Sequence, residues 1–497
     1  MRGIWVAVLM APWLGGGCVG GDDEAARKLS ETGGSGASPA GGAGGGIGGG
    51  PAGAGAPVGG AGATAGTGGE MPSMARGCSD LFDQARLVDY AFDISADEWA
   101  KLDYEFRNRD ALKAAGIDFK TYHPIVFHYG SETVTDAMVR LKGDSSWRIT
   151  LMEDGDKARM QFVVSFDEVN PAAKFHGLSK IVLDMPNDDE TFMQERLGFT
   201  AMAELFGQPA PCANNARVTI NGQYYGLFVN EEHVGGGFIK RVFPEAPNGD
   251  LFAGGYTPKT NELAPNKAKL KAFWAAHDIA SMAAVIDLES SVTEWAAEAL
   301  INEGDGYWGG AHNFYLYDYP GLGYRWLIDD ADASFAWLNR SDGHPIYWWT
   351  SRSGDNVGPH YLIVMADPTW RARYIEALRT QLGRWDVARL HGWIDAWEVQ
   401  IADAAAQDPH RMFSVEDHQA AIAETRQVVV DRPAFIAKFL GCQDGSGDAI
   451  DADGDGFAWC NDCNDATPGV SPGAPELCAN GIDDNCNFLF DAGEACQ

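Results

Sequence analysis

The sequence predicts an α+β fold of two lobes, the first rich in strands and the second in helices, followed by a small C-terminal module stabilised by disulfides and metal. Three observations carry this. Short apolar or alternating runs dominate residues 86–228, the period of strands. After Phe238, apolar residues recur at helical spacing over long stretches. The last 55 residues carry 12 acids, no Lys or Arg, and five of the nine cysteines, a composition that builds a small core from crosslinks and bound cations.

The amino terminus sets the compartment. Arg2 is followed by an apolar run from Ile4 to Leu14 and three glycines before Cys18. That run is too short to span a bilayer and has the layout of a cleaved export signal over residues 1–17. A cysteine directly after small residues resembles a bacterial lipoprotein signal, with Cys18 the lipidated residue and plain secretion the alternative. Residues 18–77 then form a tether, mostly Gly, Ala, Ser, Thr and Pro from 31 to 74, too polar and small to bury a core. The chain is thus expected to be exported, a cell-envelope lipoprotein touching the membrane only through its N-terminal lipid.

Residues 78–442 make the folded core. AMVRLKGDSSW and RMQFVVSFDE carry strand-like runs, and ARVTINGQYYGLFVNEEHV reads as a hairpin turning at Asn221-Gly222. Glu190 to Phe206 has helical spacing with Gly207 just beyond it. SSVTEWAAEALINE, PTWRARYIEALRTQLGRW and the stretch from Val415 to Phe439 are helical in period. The net charge of −33 argues against nucleic acid as a partner.

The chemistry concentrates in DGYWGGAHNFYLYDYPGLGYRWLIDDAD. Asp305 is followed eight residues later by Asn313, and two aromatic-rich strands lead to Asp330 and Asp332. Oxygen ligands of this kind, shared between a base and a cation, suit a hydroxyl nucleophile and phosphate-bound magnesium.

Five blocks in order, VRLKGDSSW, QFVVSFDE, HGLSKIVLDMPNDDETFMQERL, VTINGQYYGLFVNEEHV and the D-G-Y-W…H-N-F-Y-L-Y…W-L-I-D-D-A-D stretch, resemble the CotH (spore-coat protein H) kinase family. The resemblance implies an atypical two-lobed protein-kinase-like fold that moves the γ-phosphoryl group of ATP to a Ser/Thr hydroxyl of a protein. It implies Asp305 as the catalytic carboxylate and Asn313, Asp330 and Asp332 as magnesium ligands, with Asn313 matching the second Asn of the family's usual Asn-Asn pair and His312 standing where the first would be. The phosphate-gripping cation is expected at Lys157 or Arg159, with Lys142 a third candidate. Glu195 is expected to orient that cation, and Glu232 to lie beside the nucleotide.

The tail, 443–497, contains D-A-D-G-D-G with Asp451, Asp453 and Asp455 alternating, the way calcium loops begin. Asp462 and Asp465, with Asp483 and Asp484, are placed to complete an oxygen shell. Cys460 and Cys463 have Asp and Asn neighbours rather than His, which favours disulfides over zinc. The run D-x-D-G-D-G…D-C-x-D…P-G-A-P-E-x-C…G-I-D-D-N-C resembles the MopE-type metal-binding repeat, while the ligand chemistry favours Ca2+. Three functions fit the whole: a protein kinase, a catalytically inactive kinase-like surface or adhesion protein, and an AMP transferase on the same fold.

Overall fold

The computed structural model describes residues 77–143, 155, 158–185, 189–336, 343–347 and 357–490. The signal, Cys18, the tether up to Arg76, Lys157 and Asp144–Ser146 lie outside these residues.

The mixed α+β expectation holds, but the first half is a closed barrel and not the strand-rich lobe of a typical two-lobed kinase-like fold. Its strands close into a seven-stranded barrel in the order β1-β2-β3-β4-β5-β7-β6. These are Val88–Asp93 (β1), His123–Tyr129 (β2), Glu132–Leu141 (β3), Phe162–Ser165 (β4), Lys180–Asp184 (β5), Ala213–Ile220 (β6) and Gln223–Glu232 (β7). Six neighbours pair antiparallel, and closure comes from β1 lying parallel to β6, Val88 opposite Ala216. Closure removes the exposed edges that an open sheet would leave. The hairpin turn is as the sequence predicts: Asn221 and Gly222 have φ of 50° and 77°, the left-handed pair that matches strand twist. Phe92, Phe127, Phe162 and Phe228 fill the interior, with Phe92 and Phe162 edge to face at 5.5 Å.

The second half is helical around one nearly all-buried helix, Leu288–Ile301. Asp287 caps it by accepting from the Ser290 amide. It packs against the helices Pro368–Leu382 and Val415–Gln443, and Trp295 on it is fully buried against Trp326 and Tyr361. A second sheet, ordered β11-β10-β8-β9, lies beside it: Leu251–Ala253 (β8), Thr257–Pro258 (β9), Phe314–Tyr319 (β10) and Gly323–Ile328 (β11). Among the described residues no helix is long and apolar enough to cross a membrane.

The halves are joined through the helix Gln194–Glu204. Arg196, fully buried, donates to Asn215 on the barrel and to Gln400 on the helix Val387–Gln407, and lies 3.9 Å over the Trp397 ring. Gly198 on the same helix faces the turn after β11, where an added Cβ would sit 2.5 Å from Ser334 Oγ and 2.9 Å from Ala331 Cβ. Only a glycine lets the helix and that turn touch.

Three disulfides crosslink the described residues: Cys78–Cys212, Cys442–Cys460 and Cys463–Cys486. The second ties the C-terminal module to the end of the last long helix. Crosslinks of this number belong to an extracellular or envelope setting.

Candidate active site

Strands β10 and β11 pair antiparallel with Phe314 opposite Ile328, so the residue before one and those after the other meet. The Asp329 amide donates to the Asn313 carbonyl at 3.0 Å. Asn313 and Asp330 take left-handed φ values of 47° and 40°, a conformation short polar side chains tolerate best. Asn313 Nδ2 in turn donates to Asp305 Oδ2 at 3.0 Å. Asp305 is exposed, while Asn313, Asp330 and Asp332 are half-buried. The structure thus gathers the four residues of the sequence cluster.

Facing them from the barrel is Lys142, just past β3. Its ammonium contacts Asp184 at the end of β5 and lies 3.9 Å from Glu231 on β7. Glu195, at the start of the helix Gln194–Glu204, closes the group, with Asp184, Glu195 and Glu231 oxygens all within 4.8 Å of one another. All three acids are buried. Burial works against the Lys142 charge, and Asp184, Glu231, Asp330 and Glu195 more than offset it, holding its pKa well above the ordinary value. The same burial drives the carboxyls the other way. Glu231 is pushed up to about 8, its neighbour Asp184 adding to the effect and Lys142 opposing it. Glu195 is raised well above its usual range by burial and by Glu231 and Asp184. Asp330 rises to about 6 through burial, opposed by Lys142 and reinforced by Asp184 and Asp305. Asp332 is raised by burial and by Asp330.

Among the described residues, one lysine faces this many acids, so the described part of the site is short of positive charge. Asp330 Oδ1 is buried without a hydrogen-bond partner, and the surrounding donors are carboxylate and amide oxygens. That donor set fits a hard divalent cation such as magnesium.

Several expected residues stand elsewhere. Arg159 is buried and paired with Asp408, between the Phe228 and Phe192 rings, and so does not face the acid cluster. Glu232 is held by Arg241 and accepts from the Cys212 amide at 3.2 Å. The residue before it, Glu231, faces Lys142, because successive strand side chains point to opposite sides. Asp184 and Glu231 are not singled out by the sequence: β5 and the C-terminal part of β7 are buried on both faces, so no alternation marks which acid turns inward. Of the candidate cations, Lys142 is the one the described structure places against the carboxylates.

Residues 139–436 match the CotH kinase protein family model, more than half of the chain. The chain belongs to the CotH kinase family. Residues 462–487 match the Cu-binding MopE metal-binding motif. No curated protein matches the chain. The CotH-family match spans Lys142, Asp305, Asn313 and Asp330, and its metal-binding companion lies wholly in the tail.

In that tail, Asp451, Asp453 and Asp465 form one group of converging carboxylates and Asp453, Asp455 and Asp462 another. Asp451 uses both oxygens locally, Oδ1 accepting the Gly454 amide at 2.7 Å and Oδ2 the Gly456 amide at 2.9 Å, whereas Asp453, Asp455 and Asp462 each use one, for the amides of Asp455, Phe457 and Asn464. The second oxygens of Asp453, Asp455 and Asp462 are buried and unpartnered. Burial lifts the Asp462 carboxyl to about 6, with Asp455, Asp453 and Asp465 adding to it. A cation is the natural partner for such a set, and an all-oxygen set suits calcium. Cys463 and Cys486, bonded to each other, are removed as thiolate ligands. Asp483 and Asp484 stand apart: Asp483 accepts from the Asn487 and Phe488 amides and Asp484 from the Leu477 amide and Asn480, organising turns.

Proposed function

We propose that the protein is an exported, magnesium-dependent kinase that transfers the γ-phosphoryl group of ATP to a Ser/Thr hydroxyl of an envelope or surface protein. The observation that carries this reading is the Asp305–Asn313 contact beside Asp330, with Lys142 opposite. Phosphoryl transfer needs positioning and charge neutralisation more than covalent catalysis. Asn313 and Asp330, with Asp332 next to them, would hold magnesium, which supplies neutralisation of phosphate charge when bound. Lys142 would meet the phosphates from the barrel side, and Glu195 and Glu231 would set its position. Asp305, its carboxylate oriented by Asn313, accepts the proton of the attacking hydroxyl. The barrel and the helical half take the places of the two lobes of a kinase-like fold, with the nucleotide between them.

The tail would bind calcium and stiffen the end of the chain, while Cys18 would carry the lipid that keeps the protein at the membrane. A net charge of −33 suits no nucleic-acid partner.

The test uses the full chain with magnesium and γ-labelled ATP, beside Asp305→Ala and Asp330→Ala. Label on protein that both substitutions abolish supports the reading. Absence of nucleotide binding at millimolar MgATP would leave an inactive, kinase-like surface protein, and label from α-labelled ATP would mean AMP transfer instead.

A further inference from the structure

Behind Asp305 lies a second set of acids that the phosphoryl-transfer reading leaves unused. Glu294 and Glu298 sit one turn apart on the helix Leu288–Ile301, and Glu303 follows its left-handed cap, Asn302. All three are essentially inaccessible to solvent. Two of them hold backbone. Glu303 Oε1 accepts the Asp305 amide at 3.1 Å, and Glu298 Oε2 accepts the Trp308 amide at 3.0 Å. Between these two amides is Gly306, where an added Cβ would lie 3.0 Å from Glu298 Oε2 and 3.1 Å from Glu303 Cγ. The turn is therefore packed tightly against the Glu298 carboxyl and the Glu303 methylene, so a side chain there would have to push them aside. Trp308 is fastened at its other end too, its indole N–H donating to the Pro345 carbonyl at 3.1 Å.

We propose that Glu298 and Glu303 are positioning residues of the transfer site, fixing the turn 305–308 so that Asp305 meets its nucleophile in one orientation. This rests on Asp305 being the base. Buried acids suit this role, because a carboxyl keeps a carbonyl-type acceptor when protonated. Burial raises Glu298 to about 8, so at neutral pH it holds the turn without placing a charge behind the base. An isosteric amide keeps that acceptor and a leucine removes it. The nucleotide-facing groups, Lys142, Asn313 and Asp330, lie outside the turn, so the effect should fall on turnover and not on ATP affinity.

The experiment compares Glu298→Leu, Glu298→Gln, Glu303→Leu and Glu303→Gln in the full chain by amide hydrogen exchange over residues 304–308 and by initial phosphorylation rates. The leucine variants should exchange this turn at least tenfold faster, with the helix Leu288–Ile301 as protected as in wild type. Their kcat should fall tenfold or more at unchanged KM for ATP, and the glutamine variants should stay within about threefold of wild type. Wild-type exchange and turnover in the leucine variants would overturn the proposal, as would glutamine variants no better than leucine. Should Glu298→Leu not fold, the Glu303 pair decides the same point. If the wild type transfers no phosphoryl group, the kinase reading falls, while the exchange data still report whether the two acids hold the turn.

Discussion

Replacing Arg159 by Met separates the two roles open to this cation. The guanidinium is 2% exposed and its partner Asp408 is fully buried. Removing one member of a buried pair leaves the other charge uncompensated, at a cost of about 3–5 kcal/mol. Asp408 keeps two donors in the variant, the amides of Leu227 and His410, each at 2.8 Å, which moves the expectation toward the lower bound. Loss of the cation–π contact with Phe228, 4.8 Å from the guanidinium carbon, adds about 0.5–1 kcal/mol to that loss. The net expectation is a loss of roughly 3–4 kcal/mol by urea denaturation. Arg159→Met/Asp408→Asn should recover part of it, because the neutral amide removes the uncompensated charge while its oxygen still accepts one of the two backbone amides. Folded Arg159→Met should bind MgATP as wild type does, whereas Lys142→Met should not. A stable Arg159→Met protein that has lost nucleotide affinity would refute the assignment of Arg159 to structure and Lys142 to the phosphates.

His360 is buried, with Nδ1 2.9 Å from the Tyr307 hydroxyl and Nε2 3.0 Å from the Phe273 carbonyl, and burial lowers its pKa to about 4. The folded state thus binds fewer protons than the unfolded one between pH 6.5 and about 4, so stability falls on acidification through that window, by up to roughly 3 kcal/mol. Denaturation midpoints against pH should slope less steeply in His360→Phe than in wild type, with His344, His410 and His418, whose pKa values burial also lowers, keeping the remainder; equal slopes would contradict the assignment. In the tail, Asp453→Asn with Asp462→Asn should weaken calcium binding by roughly an order of magnitude or more, since the count of charged ligands sets affinity in such loops. Titration calorimetry on the chelator-stripped full chain reads this, and unchanged affinity, or preference for copper, would reject the all-oxygen site.

Local signals in the sequence translate well into structure. The Asn221-Gly222 turn, the strand pair flanking residues 320–322 and the helices after Phe238 all follow from turn chemistry and period, and the Asp305, Asn313 and Asp330 group follows from a strand pair that returns to its starting point. What is not legible depends on contacts far apart in the chain. Barrel closure pairs Val88 with Ala216, and nothing local in either strand announces a parallel partner. The cation is harder still: Lys142 follows a strand that ends beside β5 and β7, and its partners Asp184 and Glu231 lie on strand segments buried on both faces, where periodicity carries no direction. Arg159 looks equivalent in sequence, yet it is turned away by Asp408, the residue that caps the C-terminus of the helix Val387–Gln407.

Phosphoryl transfer by Asp305→Asn, measured with γ-labelled MgATP under conditions of equal nucleotide occupancy, decides whether Asp305 is the base. The amide keeps the contact with Asn313 available and removes only the capacity to take a proton. ATP affinity should be unchanged and transfer slowed by about 10²-fold or more, the contribution expected of a positioned general base. Transfer at the wild-type rate would show that Asp305 does not take the proton, and the reading of the site built on it would fail.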